Sequence, residues 1–348
     1  MQFDRRTFLA MTAAACGISL AGAAGQMVIP PLLSGALQQY NHDMALADGL
    51  AGWKHELDAQ QRLGFDLLWL ANLGGALQAK ADLDPLLGLM DLAGERSMTV
   101  LLDVGSSPGW YTSLDVAAER AAVRKNIQII KDRYAGHPAF KGWYIPHEIY
   151  MAWGPFGDYM NDLYPALVEA CKEAVPGAPV SLSPFFILDQ DKIFGDFRYA
   201  APEEYGNYWA ELIRRSEFDI IMLQDSGEHF SFVTNAQREP FYAAMQRACR
   251  EGGAALWGNV ECAEFECPSI EEYVRRYGRV HHGTVPYAPW RAVPMPRMQE
   301  KLELAARYCE RLVTWGYQEY GRPSASPASA KWYSDYAEHR NAVLARKP

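Results

Sequence analysis

Apolar runs of strand length alternate with amphipathic, helix-like stretches along most of the chain. Runs of unbroken apolar character, such as residues 218–223, are typical of strands buried on both faces of a helix-covered parallel sheet. The pattern predicts eight strands, at residues 33–40, 65–71, 99–104, 140–145, 180–184, 218–223, 255–260 and 312–317.

Helical periodicity fills the intervals between these runs. Asp84 followed by Pro85 is an N-cap with proline at the first helical position, and Val116, Val123 and Ile127 form an apolar stripe at helical spacing. The predicted helices cover residues 46–63, a stretch beginning at 85, 115–134, 158–174, 202–215, 238–251, 296–311 and a last helix near 330–346.

Eight βα repeats without a linker predict a single α/β domain, a (β/α)8 barrel with long βα loops, from residue 26 to 348. The alternative is a doubly wound sheet, which usually has fewer strands and a glycine-rich first turn. No such turn is found in the sequence.

The N-terminal segment has the pattern of an export signal. Arg5 and Arg6 precede an apolar run from Phe8 to Ala24 that is short for a membrane span and ends in small residues. Paired arginines resemble the twin-arginine export motif. We therefore assign residues 1–25 to a signal peptide and expect a periplasmic or secreted protein.

The charge composition limits the classes of molecule that the protein is expected to bind. Without Asp4, Arg5 and Arg6, the 33 basic and 42 acidic residues become 31 and 41, a net charge of −10. This acidic balance argues against nucleic acid or an anionic membrane as a partner. It is compatible with a neutral glycan as the ligand.

No cofactor or metal is expected from the motifs. The sequence has no CxxC or Cys/His zinc spacing and no phosphate-binding glycine loop, and His281-His282 lacks a partner at ligand spacing. Beyond Cys16, five irregularly spaced cysteines do not form a disulfide framework, and a local Cys262–Cys267 pair stays open.

Polar and aromatic residues concentrate where the predicted strands end. In a (β/α)8 barrel these ends carry the chemistry, because the βα loops meet at one face. Asp103, also at a strand end, is interpreted as a polar plug that orients a neighbour. The predicted substrate-contacting residues are Gln39, Asn72, Trp110, Tyr144, His147, Gln224, Asp225, Asn259, Trp315 and Glu319.

Two strand-end glutamates form the candidate catalytic pair. Alternation along the fourth strand puts Tyr144 and Glu148 on one face, and along the seventh it puts Asn259 and Glu261 on one face. Glycoside hydrolysis needs two such carboxylates, one as acid and one as nucleophile or base. The competing interpretation is that each is a surface acid, and for Glu261 also that Glu264 or Glu266 takes its role. Asp225 and Glu228 have a structural interpretation as turn residues.

Three segments carry a family resemblance: Gly142-Trp143-Tyr144 with Glu148, residues 219–225, and residues 257–261. Together they resemble an uncharacterised bacterial family of glycosidase-like barrels, similar to the superfamily of retaining glycosidases with the acid/base on strand four and the nucleophile on strand seven. The resemblance implies Glu148 as acid/base, Glu261 as nucleophile and Trp315 as a sugar platform. One departure is His147, since the superfamily usually has asparagine before the acid/base.

Two long segments, 185–201 and 262–296, are predicted to wall a cleft and to select the substrate. The expected activity is hydrolysis of an oligo- or polysaccharide. The alternatives are a noncatalytic glycan-binding barrel and, third, a lyase or metal-dependent hydrolase. Trp110, Tyr111, Trp153, Tyr287 and Trp290 are either sugar platforms or loop packing.

Overall fold

The computed structural model describes residues 29–80, 84–190, 192, 198–225, 230–278 and 289–346. The predicted signal peptide, Glu228, Tyr287 and the His281-His282 pair lie outside the described residues. Within the described chain, no helix combines the length and apolar character that a membrane crossing needs.

Eight parallel strands form the centre of the protein, in the order β1 to β7 and then β10. The ring closes where the Leu37 N–H donates to the Thr314 carbonyl (2.9 Å) and the Thr314 N–H donates to the Gly35 carbonyl (3.1 Å). The predicted (β/α)8 barrel is therefore confirmed. Its strands are β1 Gly35–Gln39, β2 Leu67–Ala71, β3 Thr99–Asp103, β4 Phe140–Ile145, β5 Val180–Leu182, β6 Ile220–Gln224, β7 Ala255–Asn259 and β10 Arg311–Val313.

Helices cover the outside of this barrel. They are α1 His42–Asp48, α2 Ala51–Arg62, α3 Gly74–Gln78, α4 Pro85–Glu95, α5 Trp110–Ser113, α6 Val116–Arg133, α7 Gly154–Ala174, α8 Pro202–Ser216, α9 Asn235–Gly252, α10 Ile270–Tyr277, α11 Met295–Ala306 and α12 Pro327–Ala345, with a π-helix at Tyr317–Gly321.

Several predicted helix boundaries are wrong; the helix expected from residue 158, for example, begins at Gly154. The single helix expected at 46–63 is two helices, because Gly49 and Leu50 adopt left-handed backbone angles (φ 58° and 70°) between α1 and α2. The helix expected to reach residue 311 ends at Ala306, and Arg311 begins β10 instead.

Strand alternation separates two apolar layers. One face of each strand packs under the helices, as Trp143 and Ile145 do on β4, while the other face fills the barrel interior. Inside, the rings of Trp69 and Tyr144 meet edge to face with centroids 4.8 Å apart. Both rings are buried, and they form the floor of the open C-terminal end of the barrel.

The second predicted cleft wall, 262–296, contains a hairpin that was expected to be loop. Strands β8 (Ala263–Phe265) and β9 (Trp290–Ala292) pair antiparallel. Glu264 on β8 is fully buried, and its two oxygens accept hydrogen bonds from Arg291 (2.9 Å) and Arg297 (2.8 Å). Because burying a carboxylate is costly unless it is paired, these two guanidinium groups fix the hairpin in place.

Candidate active site

A cavity of about 510 Å³ opens at the C-terminal ends of the barrel strands. Most of the predicted site residues border it, and they come from the ends of six strands or the loops that follow them. Its lining consists of Leu37, Gln39, Trp69, Ala71, Asn72, Asp103, Tyr144, Pro146, Glu148, Gln224, Asn259 and Trp315.

Glu148 follows β4 and presents a half-buried carboxylate to this cavity. The Tyr144 hydroxyl donates a hydrogen bond to one carboxylate oxygen, Oε1. The Gln224 Nε2 donates to the other, Oε2, at 2.8 Å, and also to the Ser183 carbonyl at 2.7 Å. Both oxygens of Glu148 are thus oriented by residues of β4 and β6.

Tyr144 serves as a hydrogen-bond donor in this contact. Its burial, together with the nearby charges of Glu148 and Asp103, raises the pKa of the Tyr144 phenol well above its usual value. The phenol therefore keeps its proton over the whole working pH range, and Glu148 keeps this donor.

Gln224 and Asn259 are neighbours in the β6–β7 register. The Asn259 Nδ2 donates to the Ser183 hydroxyl at 3.2 Å, and that hydroxyl donates to the Met222 carbonyl at 2.8 Å. Ser183 therefore anchors both amides that face the cavity. Its role was missed in the sequence, where it is one polar residue in an apolar strand end.

Asp103 is a second carboxylate on the cavity wall, although it is 95% shielded from solvent. Its oxygens accept the backbone N–H groups of Asn72 (3.0 Å) and Gly105 (2.5 Å). Burial raises the pKa of Asp103 to about 6 against the lowering effect of these hydrogen bonds. Asn72, in turn, has a left-handed backbone (φ 62°), so Asp103 holds the β2 loop as well as facing the cavity.

Glu261 is fully buried and does not belong to the cavity lining. Alternation along β7 puts it on the same face as Trp257 and Asn259, which both face the barrel interior. Its backbone carbonyl accepts a hydrogen bond from the Lys301 Nζ at 2.5 Å. Its role as nucleophile stays a prediction.

Glu264 and Glu266, the two alternatives to Glu261 as nucleophile, both form ion pairs with arginines. Glu264 is engaged by Arg291 and Arg297, as described above, and Glu266 has a mostly exposed side chain that forms an ion pair with Arg291 at 3.0 Å. Neither borders the cavity, and in this they do not differ from Glu261. The choice among the three glutamates stays a prediction.

His147, a predicted substrate contact, does not border the cavity in this arrangement, and that contact stays a prediction. Its side chain is fully buried. The His147 Nε2 lies 2.7 Å from the Glu119 Oε1 on α6, and the Tyr164 hydroxyl donates to the His147 carbonyl. His147 thus anchors the chain next to Glu148 from the helix side.

Glu119 is the buried partner in that contact. Burial raises the pKa of the Glu119 carboxyl, but hydrogen bonds from His147 and from the side chain and backbone of Ser107 outweigh it and hold the pKa below its ordinary value. Trp110 packs its ring edge to face on His147, with centroids 4.8 Å apart, and lies outside the cavity lining.

Asp225 and Glu319 also lie outside the lining. Asp225 is buried, its carboxylate lies 3.1 Å from the Lys301 Nζ, and its carbonyl accepts from the Arg238 Nε at 2.9 Å, so its predicted substrate contact stays a prediction. Glu319 is exposed on the π-helix. Its neighbour Gln318, missed in the sequence, accepts the Gln39 N–H at 2.8 Å.

Trp315 forms the aromatic side of the cavity. The ring of Trp290, on β9, meets it edge to face at 5.6 Å, and Tyr320 lies 6.3 Å beyond Trp290. Of the two interpretations of Trp290, packing is therefore supported: it buttresses Trp315 from the hairpin.

The described residues contain no cluster of three or more His, Cys, Asp or Glu side chains that could hold a metal ion. Cys171, Cys249, Cys262, Cys267 and Cys309 are all buried as free thiols, so Cys262 and Cys267 are not paired.

Fold and site together define a (β/α)8 barrel with an acidic and aromatic cavity at its C-terminal face. The chain belongs to the family described as a domain of unknown function, DUF4434, whose model matches residues 33–331. No curated protein matches the chain.

Solved structures share this barrel. A proposed alpha-L-fucosidase from Bacteroides thetaiotaomicron superposes with a TM-score of 0.67 at 16% identity, over 93% of this chain and 99% of the other. A GH5_18 protein from Streptomyces cattleya, in complex with GlcNAc, gives 0.52 at 14%, over 91% and 82%. An endo-1,4-beta-D-mannanase from Thermotoga petrophila gives 0.52 at 10%, over 88% and 99%. The predicted resemblance to glycosidase-like barrels is confirmed at the level of the fold.

Proposed function

We propose that the protein is a glycoside hydrolase that cleaves a glycosidic bond in an oligo- or polysaccharide. The observation that carries the proposal is the position of Glu148, a half-buried carboxylate oriented by two donors at the mouth of the barrel. Trp315 beside it offers a ring face for a sugar. Support also comes from the similar barrels, which include a mannanase and a GH5_18 protein.

In the proposed reaction Glu148 acts first as the acid. It gives its proton to the glycosidic oxygen, the bond from that oxygen to the anomeric carbon breaks, and the leaving sugar departs as an alcohol. Glu261 attacks the anomeric carbon and forms a glycosyl ester. Water then attacks the same carbon, Glu148 takes the water's proton, and Glu261 is released as a carboxylate.

The pairing with Glu261 is supported by the family resemblance and by its place on the inward face of β7, next to Asn259. A retaining mechanism needs the two carboxyl groups about 5–5.5 Å apart, and an inverting one needs about 6.5–9.5 Å. Gln224 and Asn259, both anchored on Ser183, would orient the acid and the sugar hydroxyl groups.

A second candidate is a noncatalytic glycan-binding barrel. The observation that favours it is the full burial of Glu261 outside the cavity lining, so that among the described residues Glu148 is the glutamate that borders the cavity. Such a protein would use the same amides and Trp315 to bind a sugar without cleaving it.

The test is a screen of periplasmic, capsular and plant glycans with product analysis. We expect the parent protein to release sugars and Glu148→Gln and Glu261→Gln to be inactive while folded. Glu266→Gln is the matched control, since Glu266 pairs with Arg291 at the surface, and it should keep full activity. Full activity of Glu148→Gln would overturn the proposal. Glycan binding without cleavage by the parent protein would select the second candidate.

We also propose export through the twin-arginine route, on the basis of Arg5, Arg6 and the apolar run after them. Replacing both arginines by lysine should leave the full-length chain in the cytoplasm, as measured by fractionation and N-terminal sequencing. Unchanged periplasmic recovery and processing of that variant would overturn this route.

A further inference from the structure

A groove of about 600 Å³ lies next to the cavity, between α1, α2 and the chain that follows β10. Gln39, at the end of β1, borders both the groove and the cavity. Its backbone N–H donates to the Gln318 Oε1 at 2.8 Å, and Gln318 also borders the groove. Gln39 is therefore shared by the cavity and the groove, and Gln318 is hydrogen-bonded to it from the groove side.

The groove contains a buried donor whose hydrogen bond is unfilled. Gln38 borders the groove with only 1% of its surface exposed, and its Nε2 has no hydrogen-bond partner among the described residues. A buried polar group left unsatisfied costs about 1–3 kcal/mol, so such groups are normally paired in a functional state. A ligand oxygen in the groove would accept from this amide.

A second donor that is unpaired within the described chain also borders the groove. The Arg322 Nε is buried and without a hydrogen-bond partner among the described residues, and the nearest carboxylate oxygen, on Glu56, is 4.0 Å away. Both Arg322 and Glu56 border the groove. The side chains of Gln38 and Arg322, as donors, and of Glu56, as an acceptor, thus border the same groove.

The remaining wall offers apolar surface. Trp53 is half-buried and stacks on the ring of Tyr40 at 6.3 Å with 26° between the planes, which fixes its orientation. Met44 beside it is 63% exposed. An aromatic ring next to convergent polar groups suits a sugar ring, which has one apolar face and a rim of hydroxyls.

Charge at the groove favours a neutral ligand. Three carboxylates and two guanidinium groups border it, and two of those carboxylates are already engaged. Asp48 accepts the backbone N–H groups of Leu50 and Gly52, and Asp58 pairs with Arg96 at 2.6 Å. Neither an anionic nor a strongly cationic ligand gains from this balance.

We infer that the groove is a second subsite, which binds a neutral sugar unit of the same glycan whose reacting unit occupies the cavity. The inference rests on the proposed function, since it takes the cavity as the site of cleavage. The volume lies within the range of about 300–1,000 Å³ typical of ligand sites. The glycan chain passes over Gln39 and Gln318.

The test uses the full-length Glu148→Gln protein on an array of neutral plant and bacterial oligosaccharides, each present at several chain lengths. Gln38→Leu removes the buried donor at similar volume, and Trp53→Ala removes the ring, so that one variant remains if the other fails to fold. Gln246→Leu is the matched control, because its amide donates to the Tyr308 carbonyl far along the chain from this groove. Thermal melts establish that each variant is folded.

We expect longer glycans to bind more tightly than their shortest members, and both groove variants to lose about tenfold or more of that affinity for the longer members only. The control should match the parent. If glycans bind but the variants weaken all lengths equally, or none, the subsite is overturned while the proposed function stands. If no glycan on the array binds, both are overturned.

Discussion

The Gln224 Nε2 lies 2.8 Å from the Glu148 Oε2, and the same nitrogen lies 2.7 Å from the Ser183 carbonyl oxygen. The side-chain amide of Gln224, at the end of β6, thus links the Glu148 carboxylate after β4 to Ser183, which follows β5. Since Tyr144 donates to the other oxygen, the carboxylate plane of Glu148 is set by protein groups before any substrate binds. Such preorganisation is what a reacting acid requires.

Gln224→Leu should lower kcat roughly 10-fold to 100-fold on a verified substrate, because Glu148 loses one of the two donors that orient it. The KM should change less, since Glu148 itself still borders the cavity. Steady-state kinetics measure both, and a melting curve checks that the variant is folded. An unchanged kcat would show that this hydrogen bond does not orient the acid.

Tyr144→Phe removes the hydroxyl that donates to Glu148 and keeps the ring that packs on Trp69. We expect a folded protein with kcat reduced roughly 10-fold or more. Because the pKa of Tyr144 is raised well above its usual value, the parent protein should also keep this donor on the alkaline side, where an exposed tyrosine would ionise. Ultraviolet difference titration up to pH ~10 checks this. A phenolate signal lost on substitution of Tyr144 would contradict it.

The sequence predicted the barrel and much of the cavity because both depend on local patterns. The run at 140–145 matches β4 without error, and alternation placed Tyr144 and Glu148 inward and His147 on the other face. For Glu261, an inward position on the strand was not enough to predict whether the side chain borders the cavity. Whether an inward residue above a strand end is open to a ligand depends on which loops lie over it, and strand periodicity does not contain that information.

Two further differences between the sequence pattern and the structure have related causes. Asp225 stands one position after Gln224, so its side chain points away from the cavity toward Lys301, a partner far along the chain. The β8–β9 hairpin depends on Arg291 and Arg297 pairing with Glu264 across a long connection. Contacts of this range follow from tertiary packing, and no window of the sequence contains both partners.

His147→Asn introduces the residue that the retaining glycosidases usually have before their acid/base, and we expect that it still creates no substrate contact. Asparagine is too short to reach Glu119 on α6, so this buried carboxylate loses one hydrogen bond and keeps those from Ser107, and we expect a loss of about 1–3 kcal/mol in the free energy of unfolding. The kcat per folded molecule and the KM should change little. Urea unfolding and kinetics measure the two effects separately.

His137→Asn is the matched control for that substitution. His137 pairs with Asp91, whose side chain is 70% exposed, so the loss there should be within about 1 kcal/mol. Since the folded pKa of Glu119 is lowered, its contribution is present above the ordinary value of 4.5 and is lost as the pH falls. The difference between His147→Asn and the parent should therefore narrow in acid. Equal losses at His147 and His137 would contradict the anchoring role.

Asp103→Asn tests the second carboxylate of the cavity wall. The variant keeps one acceptor oxygen for two backbone N–H groups, those of Asn72 and Gly105, so we expect it to be less stable than the parent by about 1–3 kcal/mol in acid. In the parent, the folded pKa of Asp103 is raised from 3.8 to about 6. Ionisation then costs more in the folded state than in the unfolded chain, and this group's contribution to stability falls as the pH rises through that window.

Asparagine at position 103 cannot ionise, so the free energy of unfolding of the variant does not fall with rising pH on account of this residue. A shift from 3.8 to about 6 corresponds to about 3 kcal/mol. The stability of Asp103→Asn relative to the parent should therefore improve by up to that amount between pH 3.8 and pH 6, because all other titrating groups are common to both proteins. Urea unfolding of both proteins at each end of the window measures it. A difference that stays constant across the window would show that Asp103 is ionised without cost, held by its two backbone donors alone.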